Sequence, residues 1–484
     1  MTGDVTDAAS ATVGCYGPAM TDDSIALEPA TRLARRIRDR DVSSRELLQL
    51  FLDRIERINP AVNAVVTLDA ERALEAATQA DEATAAGADT GPLHGLPITV
   101  KDAIEVAGMR STGGAKALRD HIPASDAPAV ARLRKAGAVV FGKTNVPEWS
   151  GDIQTFNDLF GTTNNPWDLS RTPGGSSGGP ASAVATGLTS FETGTDIGGS
   201  VRIPSSFCGV CGHKPSFGVV SQRGYLDSPV GGQIDADINV FGPIARSVED
   251  LTRLMDVLAG PNPDDAVAWS LSLPPPRHQS LSDYRVGLWL DDPACEVESS
   301  AVELYSAAAS ALSSAGARVS EARPPLDLAE VQTLFSSLLL PAISVSLEGE
   351  LGEALGGNHR TWLELHRRRN LVRRVWADWF RDYDVLLCPV LPMLPFPHDH
   401  GGTIGDRWVI INGRSRPQAD CLAWTGLVGV AYLPSTVVPV GRVDGLPVGV
   451  QVVGPYLEDR TPLFVAGRLA EILGGYTPPP LAEA

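Results

Sequence analysis

Apolar positions along the chain follow helical and strand spacing from about residue 25 onward. Behind Ser43 and Glu46, a Ser-x-x-Glu pair, apolar residues recur every three or four positions as far as Pro60. This pattern predicts an amphipathic helix that begins with a capping box and is stopped by Pro60. Further along, apolar runs predict strands over 62–68, 96–100 and 138–142, and Ala-rich segments predict helices over 69–87 and 127–136.

The second half of the chain has a similar alternation. A capped helix is predicted from Ser247 to Ala259, and a proline-rich boundary follows over 260–276. A strand over 285–290 and helices near 299–315 and 360–381 come next, and strand-rich sequence resumes at 383. Helices alternating with strands predict an α/β fold. We expect a loose arm over 1–24 and one interwoven domain over 25–480.

Composition and charge indicate which kinds of partner and which cellular compartment to expect. The net charge of −18 argues against a nucleic-acid partner, because phosphate binding needs a basic stripe and the one basic cluster, 366–374, has the spacing of a solvated helix face. The six cysteines have no disulfide-framework spacing. We find no apolar run of about 18 residues and no signal-peptide pattern. The expectation is a soluble, cytoplasmic protein without a membrane partner.

Two clusters of glycine and hydroxyl residues, 174–179 and 193–204, are the densest small-residue segments in the chain. Glycines there allow backbone N–H groups to approach a ligand or a developing oxyanion. The segments lack Gly-x-Gly-x-x-Gly and Gly-Lys-[Ser/Thr], which argues against nucleotide binding. Residues 174–178 satisfy Gly-x-Ser-x-Gly, but that nucleophile elbow must follow a strand, and the polar, proline-broken stretch 164–173 predicts a loop.

Both clusters strongly resemble the amidase signature family of serine hydrolases, as do two further stretches, Gly-Leu-Pro-Ile-Thr-Val-Lys-Asp at 95–102 and Gly-Leu-Pro-Val-Gly-Val-Gln-Val-Val-Gly-Pro at 445–455. The resemblance extends over nearly the whole chain from residue 25. It implies a single large α/β/α sandwich with a mixed central sheet covered by helices. It also implies that 261–380 is the more variable helical covering.

The resemblance implies a Ser–Ser–Lys relay in place of the histidine that usually moves protons in amide hydrolysis. Ser200 would be the nucleophile, Ser176 a bridging serine at a cis peptide, and Lys101 the base. Lysine acts as a base only when neutral, and burial can lower its pKa by roughly 3–5 units. The apolar residues before Lys101 are consistent with such burial.

Other positions receive supporting roles. Backbone N–H groups of Ile197, Gly198, Gly199 and Ser200 are the expected oxyanion hole, and removing one such donor typically costs about 10²–10³-fold in turnover. Four residues that match the family pattern are expected to support the loop: Ser177, Thr195, Asp196 and Arg202. Candidate pocket residues are Trp149, Asp152, Gln154 and Gly175.

Metal and cofactor chemistry is not required by this scheme. The pair Cys208 and Cys211 lacks a second Cys-x-x-Cys and is interpreted as core, and His398 and His400 as residues of a loop or pocket mouth. We therefore expect a hydrolase without metal or cofactor.

The expected activity is hydrolysis of a small-molecule amide through an acyl-enzyme on Ser200, with esters, anilides or carbamates as further substrates. One alternative is the glutaminase subunit of a tRNA-dependent amidotransferase. A second is a catalytically silent binding protein of the same fold. A homodimer is possible by resemblance alone.

Overall fold

The computed structural model describes residues 23–88, 90–229, 232–233, 235–347 and 349–483. The arm expected over 1–24 lies almost wholly outside the described residues and stays a prediction. Within the described part the helices are α1 (Ala30–Asp39), α2 (Ser44–Val62), α3 (Ala70–Ala85), α4 (Pro128–Lys135), α5 (Gly178–Ala185), α6 (Arg202–Cys208), α7 (Val248–Leu258), α8 (Ser299–Ser314), α9 (Leu328–Ile343), α10 (Gly349–Gly356), α11 (His359–Trp379), α12 (Leu422–Gly429) and α13 (Arg460–Leu473).

The strands of the described residues alternate with these helices for most of the chain. They are β1 (Val65–Leu68), β2 (Pro97–Lys101), β3 (Val139–Thr144), β4 (Phe156–Asn157), β5 (Gly161–Thr162), β6 (Glu192–Asp196), β7 (Cys211–Lys214), β8 (Val240–Ala245), β9 (Arg285–Leu288), β10 (Arg318–Glu321), β11 (Val385–Pro389), β12 (Trp408–Ile411), β13 (Arg414–Pro417), β14 (Ser435–Val443) and β15 (Leu446–Val453).

The central sheet has eight strands in the order β10-β9-β11-β15-β14-β7-β8-β6. β9 pairs in parallel with both β10 and β11, whereas the remaining neighbours are antiparallel. The predicted α/β class with a mixed central sheet is therefore confirmed. Apart from the exposed edge strand β10, its strands are largely buried because helices cover the sheet.

The first three strands form a sheet of their own in the order β1-β3-β2. β2 runs parallel to β3, and Lys101 at the end of β2 lies opposite Thr144. β2 meets the central sheet through side chains, since the Thr99 hydroxyl donates to the Glu192 carboxylate at 2.5 Å. Residues of the expected relay therefore come from two sheets that are joined without a shared backbone ladder.

Helix α2 shows both a confirmed and a wrong prediction. Its capping box is present, since Ser43 Oγ accepts from the Glu46 N–H at 3.0 Å and the Glu46 carboxylate accepts from the Ser43 N–H at 2.8 Å. Pro60 does not stop the helix, which ends at Asn63 with φ of 50°. Proline in a last turn removes only one intrahelical donor, so the final residues keep their helical conformation.

The segment Leu328–Ser346, which includes α9, has the length and the mean hydropathy, 1.5, that a membrane-spanning helix would need. The sequence inspection found no such stretch. A third of the segment is buried, and Leu334, Phe335 and Leu338 pack into the main hydrophobic core. The core contacts of α9 account for part of its apolar character.

Candidate active site

Lys101 is the last residue of β2 and is fully buried. Its Nζ lies 2.7 Å from Ser176 Oγ and 2.7 Å from Thr195 Oγ1. Burial lowers the pKa of Lys101 well below its ordinary value because the ammonium form loses its hydration, and the carboxylates of Asp196 and Glu192 oppose that shift. The amine is thereby biased toward the neutral form and has a serine hydroxyl within hydrogen-bonding distance.

Ser176 lies on a loop that packs closely against residues 152–154. This close approach requires glycine at position 175. The Gly175–Ser176 peptide is cis, and a Cβ at Gly175 would come within 2.6 Å of the Ile153 carbonyl carbon. The next residue, Ser177, donates its N–H to the Ser200 carbonyl at 3.2 Å. These contacts fasten the first glycine-serine cluster to the second.

The segment before Ser200 turns its N–H groups in a way that suits an anion. The Gly198 carbonyl accepts from Thr425 Oγ1 at 2.8 Å, and Gly199 has φ of 117°. Within the described chain, the N–H groups of Ile197, Gly198 and Ser200 donate to no protein acceptor. Unpaired donors at a buried turn are the geometry expected of an oxyanion hole.

Gly199 departs from the expected set of donors. Its N–H donates to Asp196 Oδ1, in strand β6, at 3.0 Å. Its positive φ shapes the loop instead. Of the four expected donors, the N–H groups of Ile197, Gly198 and Ser200 have no protein acceptor among the described residues.

Asp196 and Arg202 form a buried ion pair that supports the 197–200 loop. Arg202 donates to Asp196 through Nε at 3.0 Å and Nη2 at 2.9 Å, with both side chains fully buried. Burial alone would raise the pKa of Asp196, but the charge and hydrogen bonds of Arg202 keep it below its ordinary value. The carboxylate also accepts from the Val201 N–H at 3.2 Å, so the pair fixes both sides of Ser200.

Thr425 and Gln451, which the sequence patterns did not single out, also support this loop through Arg202. Arg202 Nη1 donates to the Thr425 carbonyl at 3.0 Å and to Gln451 Oε1 at 3.2 Å. Gln451 in turn donates to the Pro389 carbonyl at 2.7 Å. The sign of this role in the sequence was Gln451 itself, an amide side chain in the otherwise apolar strand β15.

The candidate pocket residues fall into two groups. The Asp152 carboxylate pairs with Arg407 at 2.7 Å, and Gln154 exchanges hydrogen bonds with the backbone of Asp399. Both lie beside Gly175, as its contacts with 152–154 show. Trp149 lies apart from them, against Gly113. Asp152 and Gln154 thus tie the 150s loop to the 399–407 segment.

A cavity of about 250 Å³ lies between α9 and α11, with Asp237, Leu338 and Trp362 in its lining. The residue after Asp237, Ile238, has its Cγ2 3.5 Å from a Cβ built at Gly429, and the Ile197 carbonyl oxygen lies 3.7 Å from the same point. The residue that follows Asp237 in the chain therefore packs near the segment that precedes Ser200.

The cysteine pair lies in the core. Cys208 and Cys211 are buried free thiols, and burial raises the pKa of each to about 12. His213 lies between Thr436 and Asp459, at 2.9 and 3.2 Å. Among the described residues there is no group of three His, Cys, Asp or Glu side chains able to hold a metal ion.

The family model called Amidase matches residues 46–350 and 350–463, which is most of the chain. The chain belongs to the amidase signature family. This amidase signature enzyme is 34% identical to a Roseiflexus sp. (strain RS-1) protein named as a subunit of glutamyl-tRNA(Gln) amidotransferase, over 90% of the chain and 94% of that protein. It is accordingly a hydrolase of amide carbon–nitrogen bonds.

Solved structures give the same family. A bacterial aryl acylamidase of the amidase signature family superposes with a TM-score of 0.80 and 26% identity, covering 92% of this enzyme and 96% of that chain. The corresponding glutamyl-tRNA(Gln) amidotransferase subunit from Thermotoga maritima superposes with a TM-score of 0.77 and 25% identity, covering 95% and 99%.

The relatives correct one expectation. The acidic composition was taken to exclude a nucleic-acid partner, yet relatives over nine-tenths of the chain are named as a subunit of a glutamyl-tRNA(Gln) amidotransferase. Only a chain that itself contacts phosphate needs a basic stripe. The net charge of one chain therefore does not exclude membership of a complex that handles tRNA.

Proposed function

We propose that the enzyme cleaves a carboxylic amide through an acyl-enzyme on Ser200, with Lys101 as the base and Ser176 as the relay. The observation that carries this proposal is the 2.7 Å contact between Lys101 Nζ and Ser176 Oγ in a fully buried setting. A neutral amine beside a hydroxyl is the arrangement that general-base activation of a serine needs.

In the proposed cycle the Ser200 hydroxyl attacks the carbonyl carbon while its proton passes through Ser176 to Lys101. The carbonyl oxygen becomes an oxyanion that accepts from the N–H groups of Ile197, Gly198 and Ser200. The proton returns by the same route to the nitrogen, the C–N bond breaks, and the amine leaves. Water then attacks the ester carbon on Ser200 and gives a proton to Lys101; the acyl C–O bond breaks, the acid is released, and the proton returns through Ser176 to the Ser200 oxygen.

Peptide mapping after treatment with a small sulfonyl fluoride, together with the turnover of Ser200→Ala, tests this proposal. We expect one adduct on Ser200 and a loss of turnover of at least about 10³-fold in the variant. Ser190→Ala is the matched control, because Ser190 Oγ is buried and has no hydrogen-bond partner among the described residues. An adduct on Ser176, or substantial turnover by Ser200→Ala, would contradict the assignment.

The comparisons favour the alternative named from the sequence, the glutaminase subunit of a tRNA-dependent amidotransferase, over a free amidase. Curated relatives that cover nine-tenths of the chain carry that subunit's name, and the T. maritima protein of the same name covers 95% of it. In that role the substrate is the side-chain amide of glutamine, and the released ammonia passes to a partner protein. The five described free thiols support a reducing, cytoplasmic setting for either role.

The kcat/KM for L-glutamine, compared with those for a simple aliphatic amide and an anilide, separates the two roles. A preference for glutamine would support the amidotransferase role, particularly if ammonia release rises when a co-expressed partner co-purifies. A preference for the anilide would favour a free amidase and leave the Ser200 chemistry unchanged. Ser200→Ala is the blank for every substrate.

A further inference from the structure

Glu192 is a buried carboxylate that the proposed cycle does not use. It is the first residue of β6 and is fully buried. Its carboxylate accepts from Thr99 Oγ1 at 2.5 Å, from Thr144 Oγ1 at 2.9 Å and from the Thr193 N–H at 3.0 Å. Three donors converging on one buried carboxylate stabilise its ionised form.

The donors place this carboxylate next to Lys101. Thr99 precedes Lys101 by two residues and shares its face of β2. Thr144 lies directly opposite Lys101 in β3. Glu192 therefore presents its charge to the lysine from β6 while making its own hydrogen bonds to the residues on either side.

Other charges near this point are already paired. Asp196, also on β6, is paired with Arg202 through two hydrogen bonds, and its charge opposes the lowering of the Lys101 pKa more strongly than that of Glu192 does. Lys143 of β3 has Asp102, the residue after β2, as its largest counter-charge and Glu192 as the next, and its own charge lowers the pKa of Glu192. In the described chain the Glu192 carboxylate accepts only from hydroxyl and N–H groups. Of the two carboxylates that act on Lys101, Glu192 is thus the one without a guanidinium partner.

We propose that Glu192 is a positioning residue that sets the proton affinity of Lys101 by holding a fixed carboxylate beside it. This inference rests on the proposed function. When Lys101 receives the proton from the serines, the Glu192 carboxylate stabilises the ammonium form. Without it, the buried lysine would be too weak a base to take the proton efficiently.

The ionisation of both groups is consistent with this role. Burial raises the pKa of Glu192 to about 7, against the opposing hydrogen bonds from Thr99 and Thr144. Glu192 in turn opposes the lowering of the Lys101 pKa by burial. Removing the carboxylate charge should therefore lower the pKa of Lys101 further, and the neutral amine should persist to lower pH.

The test is the pH dependence of Ser200 modification by a sulfonyl fluoride, which needs no knowledge of the substrate. For Glu192→Gln we expect the acid limb of the rate to move to lower pH by about one unit and the plateau rate to fall several-fold. Asp102→Asn is the matched control, because it neutralises a buried carboxylate that faces Lys143, and its limb should stay in place. An unshifted limb in Glu192→Gln would overturn the inference.

A second variant and a second measurement cover the remaining cases. Thr99→Val/Thr144→Val keeps the carboxylate but removes two of its donors, so it should shift the limb in the same direction by a smaller amount, even if Glu192→Gln does not fold. If Ser200 of the wild-type enzyme is not modified, the proposed function fails. NMR titration of ¹³Cε-labelled Lys101 in the wild-type enzyme and the variants then still decides the inference, with an unchanged titration midpoint overturning it.

Discussion

Lys101 and Lys143 are two fully buried lysines at the ends of neighbouring strands, and they differ in what surrounds the amine. In the β2–β3 register Lys101 pairs with Thr144 and Lys143 with Val100, so the two side chains leave opposite faces of the small sheet. The Lys101 amine meets two hydroxyls, Ser176 and Thr195. The Lys143 amine donates to the Ile104 carbonyl and to Ser111 Oγ, close to the Asp102 carboxylate.

The difference separates a group that can exchange a proton from one that holds structure. Burial lowers the pKa of Lys143 only to about 8, because Asp102 stabilises its ammonium form. The pKa of Lys101 is lowered well below its ordinary value. Burial depth is equal for both lysines, so the nature of the partner decides the role: a carboxylate retains the proton, whereas a serine hydroxyl can supply or accept one.

The largest effect expected from this comparison is loss of turnover in Lys101→Met. The substitution keeps the side-chain volume but removes the base, so kcat for an amide substrate should fall by about 10²–10⁴-fold. The melting temperature should not fall, since an apolar chain of similar volume replaces a buried amine whose pKa burial has lowered. Turnover within tenfold of the wild-type value would contradict the assignment of Lys101.

Lys143→Met should act mainly on stability. It leaves the buried Asp102 carboxylate without its counter-charge, and breaking a buried pair in this way typically costs about 3–5 kcal/mol. Urea unfolding followed by circular dichroism measures this loss, and activity per folded molecule should stay within several-fold of the wild type. Unchanged stability with lost turnover would reverse the roles given to the two lysines.

The smallest expected effect is in the pH dependence of stability. The folded-state pKa of Lys143, about 8, lies below its ordinary value of 10.5, so between these values the unfolded chain binds more protons and stability rises with pH. In Lys143→Met the slope of unfolding free energy against pH should fall by up to about 1.4 kcal/mol per unit in this window. An identical slope in the two proteins would show that Lys143 keeps its ordinary proton affinity.

Much of the fold was predictable because it depends on local spacing. The capping box at Ser43 and the apolar runs over 96–100 and 138–142 belong to patterns of a few residues, and the structure has strands close to those ranges, Pro97–Lys101 and Val139–Thr144. The glycine-serine clusters likewise predicted which segments meet. Their predicted catalytic roles await the experiments above.

The parts that the sequence did not predict depend on contacts between distant residues. Arg202 and Gln451 are 249 positions apart, and no periodic pattern relates them. The small sheet joins the central sheet through a side-chain contact between Thr99 and Glu192, which are 93 positions apart. In the described part of the chain, backbone pairing does not join the two sheets. The hydrogen bond from the Gly199 N–H to Asp196 Oδ1 was likewise not predictable, since motif position does not fix the direction of one N–H group.

The five described cysteines have a practical consequence for chemical labelling. All are buried, and burial raises the pKa of each thiol. A thiol-directed electrophile therefore meets protonated sulfur without access to water, while a hydroxyl-directed reagent needs only an activated serine. Burial of the described thiols should therefore make chemical labelling selective for the activated serine.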